Sequence, residues 1–120
     1  MKKIFIFIFC LFVFNANAKE TTFDKTLFDK AQSEGKIVIV SSWVKYCTSC
    51  ASQMKVLDKA KNDFDNIEYF KFDVRNKELA NLLNVQYQTT LLIFKKNKEV
   101  YRSVGETSKD LIYKAIKSSI

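Results

Sequence analysis

The four residues Ile37-Val38-Ile39-Val40 leave the chain few ways to fold. A half-solvated strand alternates apolar and polar side chains. This run is apolar and β-branched throughout, which suits a strand covered on both faces. "IVIVSSWV", Ile37 to Val44, is therefore expected as an interior strand, and its cover must come from the flanking patterns. Before it, Phe23, Leu27 and Ala31 recur at steps of four with Phe28 beside them, and Gly35 closes that helix. After it, from about Cys47, Met54, Leu57, Ala60 and Phe64 recur at steps of three and four.

"NIEYFKFDV" returns to period two, with Phe70, Phe72 and Val74 on one face. "NKELANLLNV" is a short helix carrying Leu79, Leu82 and Leu83. "TLLIF" and "EVYRSV" are strands joined by "KKNK", too short a link for a crossover, so they form an antiparallel hairpin ended by Gly105. Thr107 with Asp110 resembles a capping box for a last amphipathic helix bearing Leu111, Ile112, Ala115 and Ile116. Phe70, Phe72, Phe94 and Trp43 are expected in the core. Strands alternating with helices predict an α/β sandwich whose mixed, mostly parallel sheet carries a C-terminal β-hairpin at its edge.

The first segment stands apart from this pattern. "MKK" gives a positive start, Ile4 to Phe14 is an apolar run of eleven residues, and Ala16-Asn17-Ala18 is a small-x-small cleavage pattern. Residues 1–18 read as a secretory signal peptide, leaving one domain over 19–120; the run is well short of the roughly 20 residues of a spanning helix. A periplasmic or secreted location is the expectation. Removing Lys2 and Lys3 from 20 basic residues leaves 18 against 13 acidic ones, a net charge of +5. The lysines alternate with acids, as in "FDKTLFDK", and form no basic block with interleaved aromatics, so nucleic acid is not an expected partner.

Cleavage would also remove Cys10 and leave Cys47 and Cys50, spaced as Cys-Thr-Ser-Cys, in a compartment where disulfides persist. A closed zinc or iron–sulfur site needs four good ligands; two cysteines in a chain with no histidine cannot close one, although two chains could share an ion. The same absence leaves a nucleophilic cysteine protease without its usual base. A structural bridge across so short a loop is worth only about 2 kcal/mol. The redox reading uses the location. If Cys47 opens the helix, unsatisfied N–H groups and the positive dipole end face its sulfur, so the thiolate is favoured and Cys47 attacks. Cys50, one turn on, is placed to resolve the mixed disulfide. Thr48 and Ser49 bring hydroxyls able to donate to the thiolate and Lys45 adds positive charge; each would stabilise the reduced form.

"IVIVSSWVKYCTSC" resembles the strand, tryptophan and WCxxC-type site of the thioredoxin family, with Trp43, Cys47 and Cys50 in matching places. "YFKFDVRNKELANLLNVQYQTTLLIFKKNKEVYRSVG" is similar to the remainder of that fold. The resemblance implies a thioredoxin-like three-layer sandwich with helices on both faces of the sheet. It implies thiol–disulfide oxidoreductase activity on protein thiols or disulfides, with Cys47 as nucleophile, Cys50 as resolver and their redox-active disulfide in place of any cofactor. A monomer recharged by a membrane electron carrier is expected; a binding module holding a partner or a shared metal without turnover is the alternative. Three positions differ from the family pattern. Tyr46 replaces the tryptophan before the first cysteine, and Ser41 falls where an aspartate helps deprotonate the second. Thr89 in "QTT" takes the place of a cis-proline that shapes the substrate groove, and a trans peptide is expected there because a non-proline cis bond costs roughly 3 kcal/mol. Tyr87 is a candidate for the rim of that groove.

Overall fold

The computed structural model describes residues 22–120. The leader assigned to 1–18, with Cys10, and the cleavage before Lys19 lie outside the described residues. Eight elements follow in order: α1 (Lys25–Ser33), β1 (Ile37–Trp43), α2 (Thr48–Asp63), β2 (Ile67–Asp73), α3 (Lys77–Leu83), β3 (Thr90–Lys95), β4 (Lys98–Val104) and α4 (Lys109–Ser119).

The strands form one sheet in the order β2-β1-β3-β4, so the apolar run Ile37–Val40 is interior. Its alternate side chains serve two separate cores. Val38 and Val40 pack with Phe28 and Ala31 of α1, Phe70 and Phe72 of β2, and Ala80 and Leu83 of α3. Ile37 and Ile39 face the other way, onto Leu57 and Ala60 of α2 and Ile112 and Ile116 of α4. Every residue from Ile37 to Val40 is at most 4% exposed. An apolar strand without a polar face thus ends between two helix layers, as its composition demands.

The sheet is mixed, but its balance corrects the expectation of mostly parallel strands. β1 pairs parallel with β2, while β1–β3 and β3–β4 are antiparallel. The reason lies in α3. Its seven residues span about 10 Å, less than the length of a seven-residue strand. Because β2 ends level with Trp43 and Leu91 pairs with Ser41, the chain re-enters the sheet near the end it left and must run back.

Local details correct three further expectations. Helix α1 is capped by Asp24, whose side chain accepts the Thr26 and Leu27 N–H groups, so Phe23 precedes the helix. Phe23 packs on Phe28 at 5.1 Å between centroids, a hydrophobic staple, and the buried face is Phe28-Ala31-Gln32 while Leu27 is 48% exposed. The cap of α4 is Ser108, not Thr107: Ser108 Oγ accepts the Leu111 N–H, and the Glu106 carboxylate accepts the Ser108 N–H in the role assigned to Asp110. Phe94 is half-buried and meets Phe28 edge-on at 5.0 Å. The hairpin turn places Lys96 and Asn97 at φ 51° and 67°, a two-residue turn whose twist matches its strands. Arg102 of β4 donates to the carbonyls of Leu83 and Asn84 while pairing with Glu99, which ties the end of α3 to the sheet edge.

At the end of β2, Arg75 forks onto Asp73 at 3.0 and 2.6 Å and also gives it a backbone N–H. The guanidinium hydrogen bond, then the backbone one, holds the Asp73 carboxyl down at about 2. A depressed carboxylate stabilises the fold above its unfolded value of 3.8 and loses that contribution as pH falls toward 2. Because the pair is open to solvent, Arg75→Ala should lower stability only slightly at neutral pH. Urea titrations should show that deficit vanishing at about pH 2. An equal deficit at both pH values would mean that the arginine acts through packing.

Candidate active site at the strand-to-helix junction

The chain leaves β1 at Trp43 and turns through Tyr46, at φ 65°, into α2. Cys47 is the N-cap of that helix. Its backbone is extended, its carbonyl accepts the Ala51 N–H at 3.1 Å, and its sulfur accepts the Cys50 N–H at 3.1 Å. A sulfur here does what a serine or aspartate oxygen does in an ordinary cap, so negative charge on it would meet a donor and the positive end of a sixteen-residue helix. Cys47 and Cys50 are joined as a disulfide with their Cα atoms 5.3 Å apart. Cys47 is half-buried while Cys50 is only 1% exposed, so only one sulfur is open to an incoming molecule.

Thr89 closes the site from the other side. The peptide bond before it is trans, and its φ is +62°, a conformation that a β-branched residue adopts only under strain of order 1–3 kcal/mol. Three hydrogen bonds hold it there. Its N–H donates to the Ser42 carbonyl at 3.0 Å, and its carbonyl accepts from Gly105 N at 2.8 Å and Gln53 Nε2 at 3.2 Å. Ser42 secures the same turn again, donating to the Tyr87 carbonyl and accepting the Thr90 N–H. The result is a hydroxyl aimed at the sulfurs. Thr89 Oγ1 stands 3.2 Å from Cys50 Sγ, 3.6 Å from Cys47 Sγ and 2.9 Å from Ser49 Oγ, which is itself 3.5 Å from Cys47 Sγ.

The side chains of the other residues singled out in the sequence sit outside this network. Thr48 is exposed at the first helical position, and neither sulfur takes a hydrogen bond from it. Lys45 holds its ammonium over the Tyr46 ring, 5.6 Å from the centroid. Tyr46 is 93% exposed and Tyr87 59%, while Trp43 is half-buried, less enclosed than a core tryptophan. Ser41, where the family pattern has an aspartate, is fully buried and hydrogen-bonded to the Tyr69 hydroxyl at 2.9 Å. No cluster of three or more histidine, cysteine or acidic side chains that could hold a metal ion occurs among the described residues.

Gln53 escaped the sequence reading. It is fully buried and its amide spans two carbonyls, of Thr89 at 3.2 Å and Glu106 at 2.9 Å, which assigns the nitrogen to that side; Oε1 has no partner. The signal was available. Stepping back from Leu57 by four instead of three gives Cys50-Gln53-Leu57-Ala60 as the buried stripe, and a glutamine in such a stripe needs polar partners inside the fold.

The chain matches the family model described as Thioredoxin over residues 15–118. A thioredoxin H-type from Oryza sativa subsp. indica is 31% identical over 83 residues, 68% of either chain. Thioredoxin-1 of Saccharomyces cerevisiae is 30% identical over 79 residues, 65% of this chain and 77% of that one. Among solved structures, Trxlp from Edwardsiella tarda superposes with a TM-score of 0.73 at 26% identity, covering 79% of this chain and 95% of that one. Thioredoxin NaTrxh from Nicotiana alata shares the fold with a TM-score of 0.72 at 24% identity, covering 87% and 98%.

Proposed function

We propose, since the chain belongs to the thioredoxin family, that its exchange of disulfides with protein clients runs through Cys47 as attacking sulfur and Cys50 as resolver. The chain is a thiol–disulfide oxidoreductase. In the reduced form the Cys47 thiolate attacks a client disulfide, one client sulfur leaves with its electron pair, and a mixed disulfide forms. Cys50 then attacks Cys47 Sγ, the second client sulfur leaves, and the Cys47–Cys50 disulfide returns. Two electrons and two protons have passed to the client. A separate donor restores the thiols, and in reverse the same pair oxidises client thiols.

One observation carries the assignment of roles. Cys47 caps the helix half-exposed while Cys50 is enclosed, so an incoming disulfide meets only Cys47. Tyr46 and Tyr87, both largely exposed, offer apolar contact to a client chain beside it. The apolar run and small-x-small pattern of residues 1–18 support work outside the cytoplasm, where a membrane electron carrier is the natural donor. The chain acts as a monomer in this reading.

The direct test is insulin reduction. Purified protein with dithiothreitol should precipitate insulin chains well before dithiothreitol alone does. A time course that overlays the uncatalysed one removes the enzymatic reading and leaves a binding module.

A further inference from the structure

Resolution by Cys50 poses a problem of protons. An enclosed thiol must become a thiolate before it can attack, and the position at which the family places a carboxylate holds Ser41, whose hydroxyl is engaged by Tyr69. The partners that α2, β1, the turn 87–90 and the segment at Gly105 present around Cys50 and Thr89 are hydroxyls, amides and carbonyls. The charged side chains flanking the site in sequence are occupied elsewhere: Lys45 lies over the Tyr46 ring and Glu106 accepts the Ser108 N–H.

A row of hydroxyls does lead outward from Cys50, whose sulfur is in the disulfide here and gains its proton on reduction. Cys50 Sγ to Thr89 Oγ1 is 3.2 Å and Thr89 Oγ1 to Ser49 Oγ is 2.9 Å. Cys50 and Thr89 are 1% and 3% exposed, whereas Ser49 opens to solvent. A hydroxyl has one proton to give and two lone pairs to receive, so each member can accept from one neighbour while donating to the next. The backbone of Thr89 already holds the turn through its N–H and carbonyl, which leaves the side-chain hydroxyl no structural duty there.

We propose that Thr89 and Ser49 form a two-hydroxyl relay that carries the Cys50 proton to solvent as Cys50 resolves the mixed disulfide, which makes Thr89 a catalytic residue. The proposal rests on the assignment of Cys50 as resolver. In the step, the Cys50 proton moves to Thr89 Oγ1, the Thr89 proton to Ser49 Oγ and the Ser49 proton to water. The electron pair left on Cys50 Sγ forms the bond to Cys47 Sγ. The bond from Cys47 to the client sulfur breaks, and that sulfur leaves with its pair and takes a proton from water.

The test uses reduced protein and limiting 5,5′-dithiobis(2-nitrobenzoate) in stopped flow. The first coloured thiolate is released when Cys47 attacks; the second, at a rate independent of reagent, when Cys50 resolves. Thr89→Val keeps the branching and removes the hydroxyl. It should slow the second phase by about a hundredfold between roughly pH 6 and 8, the lower end of the range for a positioned proton carrier. The deficit should narrow at alkaline pH, where hydroxide can take the proton without the relay. Thr89→Ser should restore the rate, and Ser49→Ala, at an exposed position, should slow the same phase. Matching pH profiles for Thr89→Val and wild type, a serine variant as slow as the valine one, or an unaffected Ser49→Ala would each overturn the relay. A wild type that releases only one thiolate would instead overturn the resolver assignment, and the two failures are told apart because that one appears without any variant.

Discussion

Cys47→Ser should bring insulin reduction down to the rate of dithiothreitol alone, whereas Cys50→Ala should stall with client proteins bound to Cys47. The two outcomes differ because the two sulfurs do. A serine hydroxyl at the helix cap keeps the hydrogen bond to the Cys50 N–H but is not ionised near neutrality, so no nucleophile remains. Alanine at position 50 leaves Cys47 capped and open, so attack proceeds and the mixed disulfide has no internal thiol to break it. Non-reducing gels of cells expressing Cys50→Ala should show adducts that dithiothreitol releases. An empty trap, or equal trapping by Cys47→Ser, would reverse or dismiss the assigned roles. The oxidised form should lose about 2 kcal/mol of stability in either variant, the contribution of so short a disulfide loop.

The second large effect is expected at Gln53, far less conspicuous in the sequence. Its amide nitrogen bridges the carbonyls of Thr89 and Glu106 in full burial. Gln53→Glu preserves the shape and replaces both donors with a group that, when ionised, can only accept. A carboxylate would then face two carbonyl oxygens with no cation in the cluster, and an uncompensated buried charge costs about 3–5 kcal/mol. Protonated, the same side chain still donates to one carbonyl. The folded state therefore raises its pKa above the unfolded value of about 4.3, and the sign follows: the deficit is small below about pH 4 and grows as pH rises through the folded value. Urea midpoints of variant and wild type at several pH values measure that difference. A deficit independent of pH would show that the amide contributes packing alone.

The sequence announced what depends on local composition. A doubly apolar strand, two flanking helices and a cysteine pair at their junction are all properties of contiguous residues, and the fold places them as their chemistry requires. What stayed hidden was set by relations between distant segments. The direction of β3 depends on how far α3 carries the chain back, which periodicity does not report. Leu27 looked buried because the stripe was counted from Phe23, a residue that proved to lie before the cap. Thr89 was legible only in part. The sequence marks it in "QTT" as standing in the place of the family's proline, but the reach of its hydroxyl to both sulfurs arises from the backbone bonds to Ser42 and Gly105 and the Gln53 amide, from three other parts of the chain.

The order of the strands has a consequence for how the molecule is made. β1 takes one neighbour, β2, from the residues just after α2, but its other edge is filled only by β3, where Val38 meets Phe94. Until the growing polypeptide reaches that point, half of the central ladder is bare and the redox helix lacks part of its floor. Nascent chains shorter than about Phe94 should consequently remain protease-sensitive, with the two thiols open to premature oxidation before any tertiary cage surrounds them.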